Sequence, residues 1–120
     1  MVIDASALAA VLFGEAEGPL IIERIKGHQL FAPAILGFEL HNICASRRRK
    51  SPALLDDLLR ALDDLERMRV RECAVVHREV LMMANDHRLT HYDASYLWLS
   101  KQRSMPLVTL DKELIRAASA

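Results

Sequence analysis

Two aspartates stand directly after short apolar runs near opposite ends of the chain. Asp4 follows "MVI", and Asp111 follows "PLVTL". Such runs predict short buried strands, and ligands of parallel sheets bind beyond the carboxyl ends of the strands. Both aspartates also precede predicted helices, where Asp is a favoured N-cap residue. Taken alone, capping is the simpler explanation of either aspartate, so a function depends on other acids reaching the same place.

Glu39 is harder to explain by local structure. Its neighbours at positions i−4, i−3 and i+4 of the predicted helix are all apolar, namely Ile35, Leu36 and Ile43. A carboxylate within an apolar stripe is costly to bury unless a cation or hydrogen bonds compensate its charge. The structural alternative is a carboxylate that reaches solvent or caps a neighbouring turn. The pattern favours a functional role for Glu39.

Asp93 lies in the sequence "THYD", three residues after Thr90. This is the Thr-x-x-Asp spacing of a capping box, and an acid in the first turn of a helix also interacts favourably with the helix dipole. Tyr96 and Leu97 lie on the same side of the predicted helix, which turns Asp93 toward packed residues. Capping and a functional role therefore explain Asp93 about equally well.

The four acids together favour a metal site. Four carboxylates that converge in one cleft would repel one another and shift one another's pKa values. A hard divalent cation relieves this repulsion, since Mg²⁺ and Mn²⁺ prefer oxygen ligands and keep several water molecules. Such a site activates water and neutralises charge on a phosphodiester. The predicted chemistry is hydrolysis of a phosphoryl ester.

Short apolar strands alternate with amphipathic helices along the chain. The strand candidates are "VIDA", "QLFAP", "VRECAV" and "MPLVTLD". This alternation predicts an α/β domain, a three-layer α/β/α sandwich with a short, mainly parallel sheet of four to five strands. Without a linker, repeat or low-complexity tract, residues 1–120 are predicted to form a single domain.

For three helical segments the sequence predicts where the helix begins or which face is buried. Pro33 is placed at the first turn of the helix that contains Glu39. In the preceding helix, Leu20, Ile21 and Ile25 are predicted to face inward. A later helix has an apolar stripe opposite a solvated charged face; the stripe comprises Leu54, Leu55, Leu58, Leu59, Leu62 and Leu65, and the charged face Asp56, Asp57, Arg60, Asp63 and Asp64.

Composition restricts the classes of function. The chain has 120 residues, 52% of them hydrophobic, and its 16 basic residues balance 16 acidic ones. A sequence-blind nucleic-acid binder is normally basic, so a nucleic acid fits better as a substrate than as a permanent partner. Cys44 and Cys73 lie in apolar contexts, which predicts reduced core thiols and a cytoplasmic protein. Met1 already belongs to the first strand, so no signal peptide is expected, and the longest uncharged runs are too short to span a membrane.

Four motifs carry a family resemblance. "MVIDASAL", "PAILGFELHNI", "LTHYDASYLWLS" and "PLVTLDKEL" occur in this order from Met1 to about Ala117. They resemble the successive motifs of PIN-domain ribonucleases, and more closely those of the VapC-type toxins of bacterial toxin–antitoxin pairs. The resemblance implies an α/β/α sandwich, Mg²⁺- or Mn²⁺-dependent endoribonuclease activity, homodimerisation, and neutralisation by a cognate antitoxin protein.

The resemblance also assigns roles to residues. The acidic quartet of the family falls on Asp4, Glu39, Asp93 and Asp111. Asp4 and Asp93 are expected to bind the metal ion directly, and Asp111 directly or through water. Glu39 is expected to orient metal-bound water or assist proton transfer. Two hydroxyl groups of the family pattern, which order the surroundings of the ion, fall on Ser6 and Thr109.

A basic run closes the helix of Glu39. Its cations, Arg47, Arg48, Arg49 and Lys50, interact favourably with the helix dipole and the last carbonyl groups. The functional alternative is a rim that contacts phosphates and steers RNA toward the acidic residues. Both explanations hold together without conflict.

Two alternative functions were weighed. His87 and His91 are four residues apart, but a helix is predicted to begin between them and no third ligand has suitable spacing, which disfavours zinc. His91 is more simply a loop residue than a substrate contact. The chain could also be a PIN-like binding or dimerisation module with a weak or inactive metal site. The presence of all four acids argues against this alternative, because an inactive site has no electrostatic reason to keep them.

Overall fold

Four short strands form one sheet at the centre of the computed structural model, which describes residues 1–120. The strands are β1 (Val2–Ile3), β2 (Phe31–Pro33), β3 (Arg71–Cys73) and β4 (Leu107–Val108). Their order across the sheet is β3-β2-β1-β4, and all three strand pairs are parallel. The central strand β1 is paired on both sides, Val2 with Phe31 and with Leu107. The predicted short, mainly parallel sheet of four to five strands is confirmed, with four strands that are all parallel.

Seven α-helices flank the sheet, because parallel strands need crossover connections. They are α1 (Ala5–Leu12), α2 (Gly18–Ile25), α3 (Ile35–Lys50), α4 (Leu55–Met68), α5 (His77–His87), α6 (His91–Gln102) and α7 (Lys112–Ala118), with a 3₁₀ turn at Pro52–Leu54. The predicted α/β/α fold class is thereby confirmed. None of these helices has the length and apolar character needed to cross a membrane.

Helix α6 passes through the interior of the protein. Its residues 94–100 are all buried, and it contacts β1, β2, β4, α5 and α7. A helix that is covered on every side is apolar all round, which explains the run "ASYLWLS". Asp93 lies immediately before this buried stretch, at the point where α6 enters the core.

Helices α1 and α2 approach each other closely at a glycine. A Cβ atom at Gly18 would lie 2.7 Å from the backbone oxygen of Ala10. Only glycine allows this approach without a shift of the backbone. Of the three α2 residues predicted to face inward, Ile21 and Ile25 are buried, but the prediction for Leu20 is wrong because it is 76% exposed. α2 has its main contact with α1, so only a narrow stripe of α2 is covered.

Two further predictions need correction. Pro33 is the last residue of β2, paired with Cys73, and α3 begins only at Ile35. The leucine stripe of α4 is covered only in part: Leu58 is buried together with Ala61, whereas Leu55 and Leu59 are 44% and 50% exposed. Periodicity predicts an apolar face but not how far neighbouring helices extend over it. The opposite charged face is exposed as predicted.

Candidate acidic active site

Asp4 is a buried carboxylate at the junction of β1 and α1. It is 4% exposed. Its Oδ1 accepts hydrogen bonds from the backbone N–H of Ala7 at 3.0 Å and from the hydroxyl of Ser6 at 2.7 Å, and Oδ2 accepts one from the hydroxyl of Thr109 at 2.5 Å. Burial raises the pKa of Asp4 above its ordinary value, an effect that these hydrogen bonds only partly offset and that the charge of Asp111 reinforces.

The hydroxyls of Ser6 and Thr109 connect the ends of β1 and β4. Each donates its hydrogen to Asp4 and accepts a backbone N–H from the segment after β4, that of Leu110 at 2.9 Å for Ser6 and that of Asp111 at 3.0 Å for Thr109. An ionised carboxylate has about four acceptor positions. Three of those on Asp4 are occupied, so the open position is on Oδ2, beside Thr109.

Asp111 is the N-cap of α7. Its Oδ1 accepts the backbone N–H groups of Glu113 at 2.9 Å and Leu114 at 3.0 Å, and its Oδ2 accepts no hydrogen bond. The capping role that the sequence offered is therefore real, and it uses one oxygen only. The other oxygen of Asp111 stays available to a ligand.

Asp93 lies in the first turn of α6 in the predicted capping arrangement. Its backbone N–H donates to the hydroxyl of Thr90 at 3.1 Å. Burial raises the pKa of the Asp93 carboxyl, and the negative charges of Asp111 and Asp4 raise it further. These charges lie close enough to act on Asp93 although they belong to different elements.

Glu39 lies in the first half of α3 and is half-buried. Its Oε1 accepts a hydrogen bond from the hydroxyl of Tyr96 at 2.6 Å. Burial raises the pKa of Glu39, the hydrogen bond from Tyr96 opposes this shift, and the charges of Asp93 and Asp4 add to it. Tyr96 was not among the predicted site residues. The available signal was a phenol within an otherwise apolar helix.

The four acids form one electrostatic group without a counter-charge inside the chain. All four ion pairs of the protein involve other acids, namely Glu15, Asp57, Asp64 and Glu113. No three acidic, histidine or cysteine side chains are arranged so that they could hold one metal ion together. Mg²⁺ is commonly bound by one or two carboxylates, with water completing its shell. The all-oxygen donor set and the open oxygens of Asp4 and Asp111 fit such an ion.

In the basic run at the end of α3, one residue is paired with an acid and the other three are not. Arg47 forms an ion pair with Glu15 at 3.1 Å, and its guanidinium lies 4.3 Å from the ring centre of Phe13. Arg48, Arg49 and Lys50 are exposed and form no ion pair. At 1.5 Å per residue they lie roughly 13–17 Å along the helix from Glu39.

The remaining candidates behave as structural groups. Cys44 and Cys73 are buried and unpaired, which confirms the predicted core thiols. His91 lies 2.9 Å from a ring nitrogen of His77, the first residue of α5, and no hydrogen bond joins it to His87. The pairing of these two histidines joins the first turns of α5 and α6.

A parallel sheet in the order β3-β2-β1-β4, with acids after the neighbouring strands β1 and β4 and on two flanking helices, defines a recognisable class. The model of the PIN domain family matches residues 1–120, and the chain belongs to that family. The membership predicted from the four motifs is confirmed.

Individual relatives agree with this assignment. The chain is 26% identical over 119 residues to Ribonuclease VapC3 of Pyrobaculum aerophilum, an alignment that covers 95% of this chain and 91% of that protein. The crystal structure of PAE2754 from Pyrobaculum aerophilum matches with a TM-score of 0.80 at 24% identity, over 97% of this chain and 82% of that one. The second comparison shows the shared fold.

Proposed function

We propose that this protein is a divalent-metal-dependent endoribonuclease that acts as the toxin of a type II toxin–antitoxin pair. One observation carries the proposal: burial raises the pKa values of Asp4, Asp93 and Glu39, and the negative charges of neighbouring acids raise them further. None of these carboxyls, nor that of Asp111, has a Lys or Arg partner. Uncompensated buried charge is costly, so a cation from solution is the simplest source of compensation. The relative named Ribonuclease VapC3 supports RNA as the substrate class.

The residues divide the work of the proposed site. One or two of Asp4, Asp93 and Asp111 would bind Mg²⁺ or Mn²⁺ directly, and the others would act through water molecules of its shell, because no three side chains are placed to hold one ion together. Ser6 and Thr109 would fix the orientation of Asp4. When bound, the cation supplies positive charge that neutralises the phosphodiester and activates water. Glu39 would orient the attacking water and accept its proton, because its raised pKa lies closer to neutral pH than that of an ordinary carboxyl.

The exposed cations of α3 are proposed to guide RNA. Arg48, Arg49 and Lys50 point to solvent without an acidic partner, which supports contact with phosphates. Arg47 contributes less, since Glu15 already neutralises it. Because the chain has no net formal charge, RNA would be attracted only by such local basic groups. Weak overall attraction suits an enzyme that must release its RNA product.

Protein partners are part of the same proposal. The resemblance implies a homodimer and a cognate antitoxin, both in the cytoplasm. Large apolar side chains on the surface support protein contacts; among the most exposed are Leu20, Phe38, Leu81, Met82 and Tyr92. Light scattering after size exclusion, with and without the co-expressed upstream or downstream gene product, tests both partners. If the protein is a monomer and does not bind the co-expressed gene product, the homodimer and the antitoxin would be removed from the proposal.

The decisive experiment is calorimetric titration of the antitoxin-free protein with Mn²⁺, followed by RNA cleavage in the same buffer. Asp4→Asn and Asp93→Asn are expected to lose Mn²⁺ binding and RNA cleavage together, because each replaces a carboxylate that acts on the same ion with a neutral amide. Asn can replace Asp4 as the N-cap of α1. The cap of α6 is Thr90 and is unchanged in Asp93→Asn, so both variants should fold. Asp63→Asn is the matched control, since Asp63 is exposed on α4 and has no ion pair. A parent that neither binds Mn²⁺ nor cleaves RNA would favour the binding-module alternative.

A further inference from the structure

Tyr96 buries a phenol hydroxyl in the centre of the protein. The residue is 1% exposed and is surrounded on α6 by apolar or small residues. A phenylalanine would fill the same space without the cost of removing a hydroxyl from water. Packing of the ring therefore does not explain why a hydroxyl is present at this position.

The only hydrogen-bond partner of this hydroxyl is Glu39. The bond of 2.6 Å joins residues 57 positions apart and is the one side-chain hydrogen bond between α3 and α6. Conversely, Tyr96 is the only protein group that donates to the Glu39 carboxylate. Since no other protein group bonds to either partner, this bond sets where Glu39 lies within the protein.

Asp93 and Tyr96 are three positions apart on α6 and share one face of that helix. We propose that Tyr96 is a positioning residue, whose hydroxyl holds the Glu39 carboxylate at a fixed place relative to Asp93. The inference rests on the proposed hydrolytic function, in which Glu39 handles the attacking water. Reactions of this kind lose rate when a reacting group is displaced by as little as an ångström.

The chemistry of the phenol suits this task. Burial raises the pKa of Tyr96, and the neighbouring charge of Glu39 raises it further, so the hydroxyl keeps its proton and always donates. The titratable groups that act on Glu39 are Tyr96, Asp93 and Asp4. Of these only Tyr96 stabilises the ionised form of Glu39, since the other two are like charges.

The test is Tyr96→Phe, which keeps the ring and removes the hydroxyl. We expect kcat to fall about tenfold with KM nearly unchanged, because a hydrogen bond to a charged group is lost without a loss of substrate contacts. The acidic limb of the pH–rate profile should move to higher pH. Tyr92→Phe is the matched control on the same helix, since Tyr92 is 58% exposed and its hydroxyl makes no hydrogen bond.

A double-mutant cycle separates positioning from mere stability. In a Glu39→Gln background, Tyr96→Phe should lower kcat no further, because the group that Tyr96 holds is already disabled. A tenfold loss that persists in the Glu39→Gln background would assign Tyr96 a structural role and overturn the proposal.

A second measurement does not depend on ribonuclease activity. The ¹³C chemical shift of the Glu39 carboxyl, followed with pH in the metal-free protein, should titrate at higher pH in Tyr96→Phe than in the parent. An unchanged titration would refute the positioning role even if RNA is cleaved. A changed titration in a protein that does not cleave RNA would keep the hydrogen bond and reject only the proposed function.

Discussion

The hydroxyl of Thr109 donates a 2.5 Å hydrogen bond to Oδ2 of Asp4, joining residues 105 positions apart. The same hydroxyl accepts the backbone N–H of Asp111. One small side chain therefore orients a buried carboxylate and fixes the backbone of a second acid. The dependence of both acids on Thr109 makes it the most informative position to change.

Thr109→Val removes the hydroxyl and keeps the shape. We expect a loss of about 1–3 kcal/mol in the free energy of unfolding, because a buried carboxylate loses a hydrogen bond that it cannot replace. Mn²⁺ affinity should fall about tenfold, since the pKa of Asp4 rises and protons compete better with the ion. Urea unfolding and calorimetric titration measure the two effects. Thr109→Ser is the control and should stay close to the parent; equal losses in both variants would disprove the role of the hydroxyl.

The stability of the metal-free protein is expected to decrease as pH rises. Burial raises the pKa values of Asp4 and Asp93 above 3.8 and that of Glu39 above 4.5. Carboxyls with a raised pKa bind protons more tightly in the folded state, so the free energy of unfolding falls between the ordinary value and the folded one. Thermal unfolding in chelator across pH 4–8 measures this slope, and Mg²⁺ should reverse the loss at neutral pH.

Asp93→Asn should make the metal-free protein more stable at neutral pH, because it removes one charge from the repelling group. We expect an increase in Tm of about 2–4 °C, the shift that roughly 0.5 kcal/mol produces in a domain of this size. The gain should disappear when Mg²⁺ is added, since the parent then has its compensating charge. Asp63→Asn should change neither value, and a lower Tm for metal-free Asp93→Asn would contradict the proposed repulsion.

Gly18→Ala should weaken the contact between α1 and α2. The new Cβ would lie 2.7 Å from the backbone oxygen of Ala10, so the helices must separate, at a cost of about 1–3 kcal/mol. Gly37→Ala is the matched control in α3, where no atom lies within 4 Å of the added Cβ. That variant should be stabilised by about 0.5–1 kcal/mol, because alanine favours helix interiors. Urea unfolding compares the two, and equal midpoints would show that the close approach carries no cost.

Arg48→Ala combined with Lys50→Ala should weaken RNA binding uniformly across sequences. In a plot of the logarithm of the binding constant for single-stranded RNA against the logarithm of the salt concentration, each lost phosphate contact should make the slope about 0.7 less steep. Fluorescence anisotropy with the cleavage-defective Asp4→Asn protein measures this without degradation of the RNA. Arg24→Ala combined with Lys26→Ala, both exposed at the end of α2, serves as the charge-matched control. An unchanged salt slope would show that the basic run does not contact RNA phosphates, which leaves only its interaction with the end of α3.

The sequence singled out the four acids and, through the family resemblance, the hydroxyls of Ser6 and Thr109, but it did not indicate the hydrogen-bond partner of Glu39. For Asp4 and Asp111, capping and ligand binding were opposed as alternatives, yet in the structure the caps use Oδ1 alone, which leaves room on Oδ2. The bond between Tyr96 and Glu39 has no local signal, because it depends on how α3 and α6 pack. The exposed Leu20 and Leu59 show the same limit: periodicity identifies an apolar face, and only the tertiary structure decides what covers it.

The position of β4 beside β1 has a consequence for the time at which the site assembles during synthesis. Asp4 is synthesised 105 residues before Thr109, which follows only with the last strand of the sheet. A nascent chain that ends before Thr109 lacks one of the two hydroxyl partners of Asp4 and the β4 edge of the sheet. Translation order thus delays completion of the acidic group until β4 and the start of α7 have been made.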